Sequence, residues 1–167
     1  MDVWTSLQLS IFGEILLAIL LGGMVGIERE YANKSAGLRT HILVAISASL
    51  ITALGNFIVN ESNFPRAVST DPVRIIQAIV VGISSFLGAG TILQREYKGS
   101  VEGLTTSASI LATAAIGIAV SLDLVLLASL TTVTILIVNR LLNPLERWIV
   151  NRITDINSDL VKPIDNE

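Results

Sequence analysis

Five stretches of the chain are apolar for long enough to cross a bilayer, a distance that takes about 20 residues at helical rise. They run over Ser10–Ile27, Leu38–Val59, Val73–Leu93, Val101–Val120 and Leu122–Leu142, with polar residues gathered between them. The pattern predicts an all-α integral membrane protein of about five transmembrane helices. Nothing basic precedes the first stretch, and the first arginine, Arg29, stands on its far side. That is the reverse of a secretory leader, so the segment reads as a retained span. Only Ser121 to Asp123 separate the fourth and fifth stretches, which leaves one long bent helix as an alternative to two spans. Residues 1–143 then form the membrane domain. In residues 144–167, Leu145, Trp148, Ile149 and Ile153 share a helical face and predict a short helix on the inner surface, followed by a disordered tail.

Composition sharpens this picture. Charged residues make up 15% of the chain and mean hydropathy is +0.70, whereas a soluble domain carries about 25% charge. No cysteine is present, so disulfides and thiolate chemistry are excluded. A single histidine, His41, cannot build a histidine metal cluster within one chain. A net charge of −3 without a basic block argues against nucleic acid as a partner. No Ser-His-Asp set, phosphate-binding Gly-Lys-Ser/Thr loop or metal-ligand helix pattern is visible, and no enzyme, cofactor or metal is expected.

Charge placement predicts orientation. With alternating crossings, Arg29, Lys34, Arg39, Arg95, Lys98, Arg140, Arg147, Arg152 and Lys162 collect on one side, against Arg66 and Arg74 on the other. Basic residues favour the cytoplasmic side. The N-terminus is therefore expected outside and the C-terminus inside. Tyr31, Tyr97 and Trp148 fall near the inner interface and Trp4 near the outer one, as aromatic anchors do.

The chain also resembles itself at an offset of 66. Between Leu21–Leu43 and the segment 66 residues on, 8 of 23 positions are identical, including Arg29-Glu30-Tyr31 with Arg95-Glu96-Tyr97 and Gly37-Leu38 with Gly103-Leu104. Two spans return the chain to its starting side, so the copies would be parallel, related by an axis along the membrane normal, with the fifth span added.

Several residues are candidates for function or packing. Gly22 and Gly26, following Ala18 at a spacing of four, would let helices approach closely. So would Gly88 and Gly90 in the third span, and Ala108, Ala112, Ala115 and Ala119 along the fourth. Glu14 lies one turn into the first span, where an acid is expensive; it either snorkels outward or faces the bundle. Asp71 precedes Pro72 and stands three residues before Arg74, which suits an outer helix cap with an ion pair. Glu28, Arg29 and Arg39 cluster at the inner end of the first helix pair. Their repeat counterparts Gln94, Arg95 and Thr105 keep only the one arginine. Charges serving only to hold a helix pair together would be needed in both copies. The expectation is thus a cytoplasmic-side polar site of Glu28, Arg29 and Arg39 with Thr40, Thr105 and Thr106 as neighbours. Interface salt bridges are the plainer alternative.

At these residues the chain resembles the MgtC/SapB family of bacterial membrane proteins. The resemblance rests on Gly23-Met24-Val25-Gly26-Ile27-Glu28-Arg29-Glu30, Ala36-Gly37-Leu38-Arg39-Thr40-His41, Asp71-Pro72-Val73-Arg74-Ile75, Phe86-Leu87-Gly88-Ala89-Gly90-Thr91-Ile92 and Gly103-Leu104-Thr105-Thr106-Ser107-Ala108-Ser109, in order. It implies a multi-pass inner-membrane protein, linked to growth in low magnesium and in some pathogens to survival inside host cells. The family is often labelled a magnesium transporter, while its better-known members resemble regulators of other membrane machines. Many members carry a soluble domain after the last span. Here about 25 residues follow, so the chain is similar to the short members. Two readings follow: a non-enzymatic modulator of another membrane complex, possible as a homo-oligomer in the bilayer, or a small transporter or channel for Mg²⁺ or another solute. A transporter needs acids along a wet path, and Glu14, Asp71 and Glu28 are few for a cation that demands octahedral oxygen ligands.

The charge asymmetry makes a first prediction. A phosphatase reporter fused after Glu167 is expected to be inactive, and a cytoplasmic fluorescent reporter at the same point bright; the opposite pattern would reverse the orientation.

Overall fold

The computed structural model describes residues 3–61, 72–93 and 103–141. These form α1 (Val3–Tyr31), α2 (Leu38–Glu61), α3 (Pro72–Leu93), α4 (Gly103–Ser121) and α5 (Val125–Leu141), with no strand among them. The all-helical membrane architecture expected from the apolar pattern is therefore present. Among the described residues three helices are long and apolar enough to cross a membrane: Trp4–Tyr31, Leu38–Val59 and Leu104–Ser121. The stretches Val73–Ser85 of α3 and Val125–Leu141 of α5 are apolar but shorter. Helix α3 opens on Pro72 as expected, and Arg74 is exposed. Asp71, Arg95, Glu96, Tyr97 and the segment 144–167 lie outside the described residues, as do the surroundings of Gly88 and Gly90.

Helices α1 and α4 end in the same way. Beyond α1, the Asn33 amide donates to the Glu30 carbonyl (3.0 Å) and the Lys34 amide to the Arg29 carbonyl (3.1 Å), with Asn33 at φ 52°. Beyond α4, the Asp123 amide donates to Val120 (3.1 Å) and the Leu124 amide to Ala119 (2.9 Å), with Asp123 at φ 58°. This crossed pair of bonds around a left-handed residue is the Schellman stop, which satisfies the last carbonyls of a helix. Asn and Asp tolerate that conformation better than other side chains do. The carbonyl of Leu124 then accepts from Ala128 and starts α5 (2.9 Å). The short gap at Ser121–Asp123 is thus a helix hairpin, and the single bent helix is excluded.

Helices α2 and α4 form the centre. Each packs against the other, and both α1 and α3 pack against the two of them, while α1 and α3 do not touch among the described residues. His41, in the first turn of α2, meets Ser109, in the second turn of α4, and further along both helices Gly117 meets Ala45 and Ala48, so these two helices run parallel. One core cluster joins Ala18, Leu21 and Val25 of α1 to Ala45, Ile116, Val120 and Ala128. A second joins Ala48, Ile79, Ala114 and Ile118. Leu16, Leu20, Leu43, Leu126 and Leu130 point outward. Lipid is as apolar as leucine, so the interior is chosen for small size and the exterior for greasiness.

Backbone proximity sets the packing. A Cβ on Gly22 would come within 2.7 Å of the Ala45 Cβ, and one on Gly26 within 2.7 Å of the Leu38 Cα. On α4, a Cβ on Gly117 would meet the Ala45 carbonyl oxygen at 2.5 Å. The close approach expected at Gly22 and Gly26 is present. The alanine stripe is not the packing face of α4: Ala108 and Ala115 are exposed, and the buried face carries Thr106, Ser109, Thr113 and Gly117. Hydroxyls can serve there because each finds a partner, Ser109 and Thr106 across the bundle and Thr113 within its own helix. Thr113 donates to the Ser109 carbonyl (2.9 Å), Thr52 to Ala48 (2.8 Å) and Thr132 to Ala128 (2.8 Å). Such a threonine is nearly apolar to its neighbours. It shares the interface with alanines such as Ala48, Ala114 and Ala128, because helix contacts in lipid are not ranked by hydrophobicity.

Two substitutions test these joints by thermal unfolding in detergent. Gly117→Val is expected to destabilise by about 1–3 kcal/mol through overpacking. Asp123→Val should lose about 1–2 kcal/mol from the left-handed turn, whereas Asp123→Gly should lose none. Equal melting of Asp123→Val and Asp123→Gly would contradict the described turn.

Candidate functional site

The site is built at the C-terminal end of α1, where the first loop turns back into α2. Arg29 is the largest wholly buried side chain, only 1% exposed. Its Nε donates to Glu28 Oε2 at 2.6 Å and its Nη2 to Glu28 Oε1 at 2.9 Å, a two-pronged guanidinium–carboxylate pair. Neighbours on a helix do not ordinarily face each other; here the long arginine arm folds over to reach the preceding residue. The amide Nδ2 of Asn139, near the end of α5, donates to Glu28 Oε2 at 3.0 Å. The pair therefore also fastens α5 to α1.

Glu30 does a different job. Its Oε2 accepts the Leu38 backbone amide at 3.0 Å, placing a negative charge on the first turn of α2, where the helix dipole favours it. Gly37 leaves room for that carboxylate, since a Cβ there would collide with Glu30 Oε2.

One turn on, His41 is fully buried. Its Nδ1 lies 2.9 Å from the Gly37 carbonyl and its Nε2 lies 3.0 Å from Ser109 Oγ. A carbonyl can only accept, so Nδ1 carries the proton, and in the neutral form of the ring the Ser109 hydroxyl donates to Nε2. The contact has the length of a nucleophile–base pair. Both groups are enclosed, however, and a carbonyl rather than a carboxylate orients the ring. Its evident effect is to tie the first loop, α2 and α4 together. Ser35 Oγ also reaches buried Thr106, donating to its Oγ1 at 3.5 Å.

The structure thus gathers part of the expected cluster. Glu28 and Arg29 are joined, and Thr106 is buried against the same loop. Thr40 is half-buried, Thr105 is exposed, and Arg39 is exposed with no ion pair among the described residues. Arg39 stands two residues before buried His41, about 200° around the helix, and so faces away from the bundle. His41, Ser109, Asn139 and the cap made by Glu30 were not anticipated as site residues. Their partners lie on other helices or across the loop, and no local spacing signals them. In the N-terminal half of α1, about three turns in because the helix begins at Val3 rather than Ser10, Glu14 is half-buried and faces a crevice beside Ser121 and Asn56, so it turns toward the bundle. Among the described residues no group of three or more His, Cys, Asp or Glu could hold a metal.

A family model for the MgtC family matches residues 15–148. The chain belongs to the MgtC family. Its relatives include an uncharacterized protein of Haemophilus influenzae, 37% identical over 85% of this chain and 59% of its own length. Protein MgtC of Brucella abortus is 38% identical over 77% of this chain and 49% of its own. The Escherichia coli K12 protein named "Putative magnesium transporter YhiD" is 32% identical over 90% and 71%. This MgtC-family chain spans about half the length of the first two. No solved structure matches it.

Removing one member of a buried pair leaves the other charge uncompensated, at a cost of about 3–5 kcal/mol. Arg29→Ala is expected to lose that much stability. Arg39→Ala, at an exposed position, should stay within about 0.5 kcal/mol of the parent. Similar melting of the two variants would mean that Arg29 is not the anchor described.

Proposed function

We propose that this MgtC-family protein is a non-enzymatic, multi-pass component of the bacterial inner membrane that modulates another membrane complex under low magnesium or a related stress. The observation that carries the reading is how the polar groups at one end are used. Glu28, Arg29 and Asn139 are spent on one another, and His41 on Gly37 and Ser109. Groups committed in this way hold helices in place rather than pass a solute along. Arg39, Tyr31 and Thr105 at the same end stay exposed and can meet a partner. The basic asymmetry supports an outside N-terminus and a cytoplasmic C-terminus for this reading.

The parallel internal repeat belongs to the same proposal. Exchanging α1 with α3 and α2 with α4 leaves the pattern of helix neighbours unchanged. The parallel run of α2 and α4 suits copies of the same orientation and would not suit an inverted repeat.

A second reading, a transporter or channel for Mg²⁺ or another solute, draws on the printed name of the Escherichia coli relative and on the crevice at Glu14. Purified full-length protein in liposomes separates the two. The modulator reading expects Mg²⁺ entry no faster than in empty liposomes, together with restored low-magnesium growth in a strain lacking its own copy. Protein-dependent Mg²⁺ flux would establish the transporter instead.

A further inference from the structure

The crevice at the other end of the bundle is about 210 Å³ in volume. By helical rise, Glu14 stands roughly 21 Å along α1 from Glu28. The crevice exists because α4 stops at Ser121 while α1 and α2 continue past that level. Its walls are apolar, from Leu7, Ile11, Ala53 and Phe57, and its polar groups come from Glu14, Asn56 and Ser121.

One of those polar groups is buried and unsatisfied. Ser121 is 8% exposed, and its Oγ is buried with no hydrogen-bond partner. Glu14 lines the same crevice as that hydroxyl. Asp123 is also near and adds charge of the same sign. Among the described residues Glu14 has no ion pair, and no basic side chain lines the crevice. A carboxylate within a spanning helix calls for a positive partner, and an orphan hydroxyl calls for a hydrogen bond.

The occupant must therefore bring positive charge and N–H donors in a small volume. One carboxylate, one amide and one hydroxyl fall short of the oxygen cage that Mg²⁺ demands. The apolar walls and the Phe57 ring suit an organic cation instead. The crevice is below the roughly 300 Å³ at which drug-sized pockets begin. We propose that it binds the primary ammonium group of a small amine, with Glu14 and Ser121 accepting its N–H donors and Asn56 beside them. The ammonium can come from an aminophospholipid headgroup in the bilayer or from a free amine in water. The inference does not depend on the modulator reading.

Trp4 provides the probe, because its ring packs edge-on against Phe57 with centroids 5.9 Å apart. The Trp148→Phe form of the full chain, in phosphatidylcholine nanodiscs, leaves Trp4 as the single tryptophan. Its emission is titrated with ethanolamine, and separately compared in discs containing phosphatidylethanolamine. A saturable change is expected in at least one arm: the lipid arm alone assigns a headgroup, the ethanolamine arm alone a free amine, and both the shared ammonium chemistry. Glu14→Gln should weaken the response about tenfold or more, since it removes a charged acceptor. Ser121→Ala should weaken it less, and Arg39→Ala not at all. If Glu14→Gln fails to fold, Ala53→Leu, which fills the crevice, must abolish the response. No change in either arm overturns the proposal. So does a change that survives both Glu14→Gln and Ala53→Leu, or an equal response to magnesium chloride.

Discussion

Backbone-to-backbone contact at three glycines holds this bundle in its shape. Gly22 and Gly26 bring α1 onto α2, and Gly117 brings α4 onto the same helix near Ala45 and Ala48. In lipid, side-chain greasiness does not drive helices together, so association depends on close van der Waals fit. The remaining features follow from that fit. Thr52, Thr113 and Thr132 bond within their own helices because no water reaches them, and many leucines face outward while Leu21, Ile79, Ile116 and Ile118 fill the spaces between helices. The α4–α5 turn closes early enough for Ala128 to join the core of α1, α2 and α4.

Close approach also brings polar groups within bonding range at one end. His41 reaches Ser109 across 68 residues of sequence, and Asn139 reaches Glu28 across 111. Low surrounding polarity makes each contact firm and each broken contact expensive. The two ends of the bundle consequently differ in character. One is cross-tied and closed around Arg29. The other, where α4 stops short, leaves a carboxylate and a hydroxyl facing an open crevice.

The candidate site was partly legible in the chain itself. Glu28 and Arg29 stand out because charges at the edge of an apolar span are costly, and the structure joins them. Arg39 drew attention for the same reason but is exposed, because sequence position near a helix start does not say which face a residue takes. The alanine spacing on α4 marked a regular stripe, but the neighbouring Thr106, Ser109, Thr113 and Gly117 form the buried one. Both stripes have helical periodicity, and in a span that is apolar all round periodicity alone cannot choose between them.

Length and hydropathy by themselves determined that the chain is helical and belongs in a membrane, because a bilayer permits few ways to bury a backbone without water. Helix α2 begins at Leu38, its first apolar residue, whereas α1 runs from Val3 to Tyr31, beyond the apolar stretch Ser10–Ile27 at both ends. Motif order pointed to the family. Only the tertiary structure decided which helices are neighbours, that Ser121–Asp123 is a hairpin, and which polar residues are partners. Those choices depend on contacts between residues far apart in the chain, such as Gly117 with Ala45 and His41 with Ser109, and local sequence carries no record of the distance across a bundle.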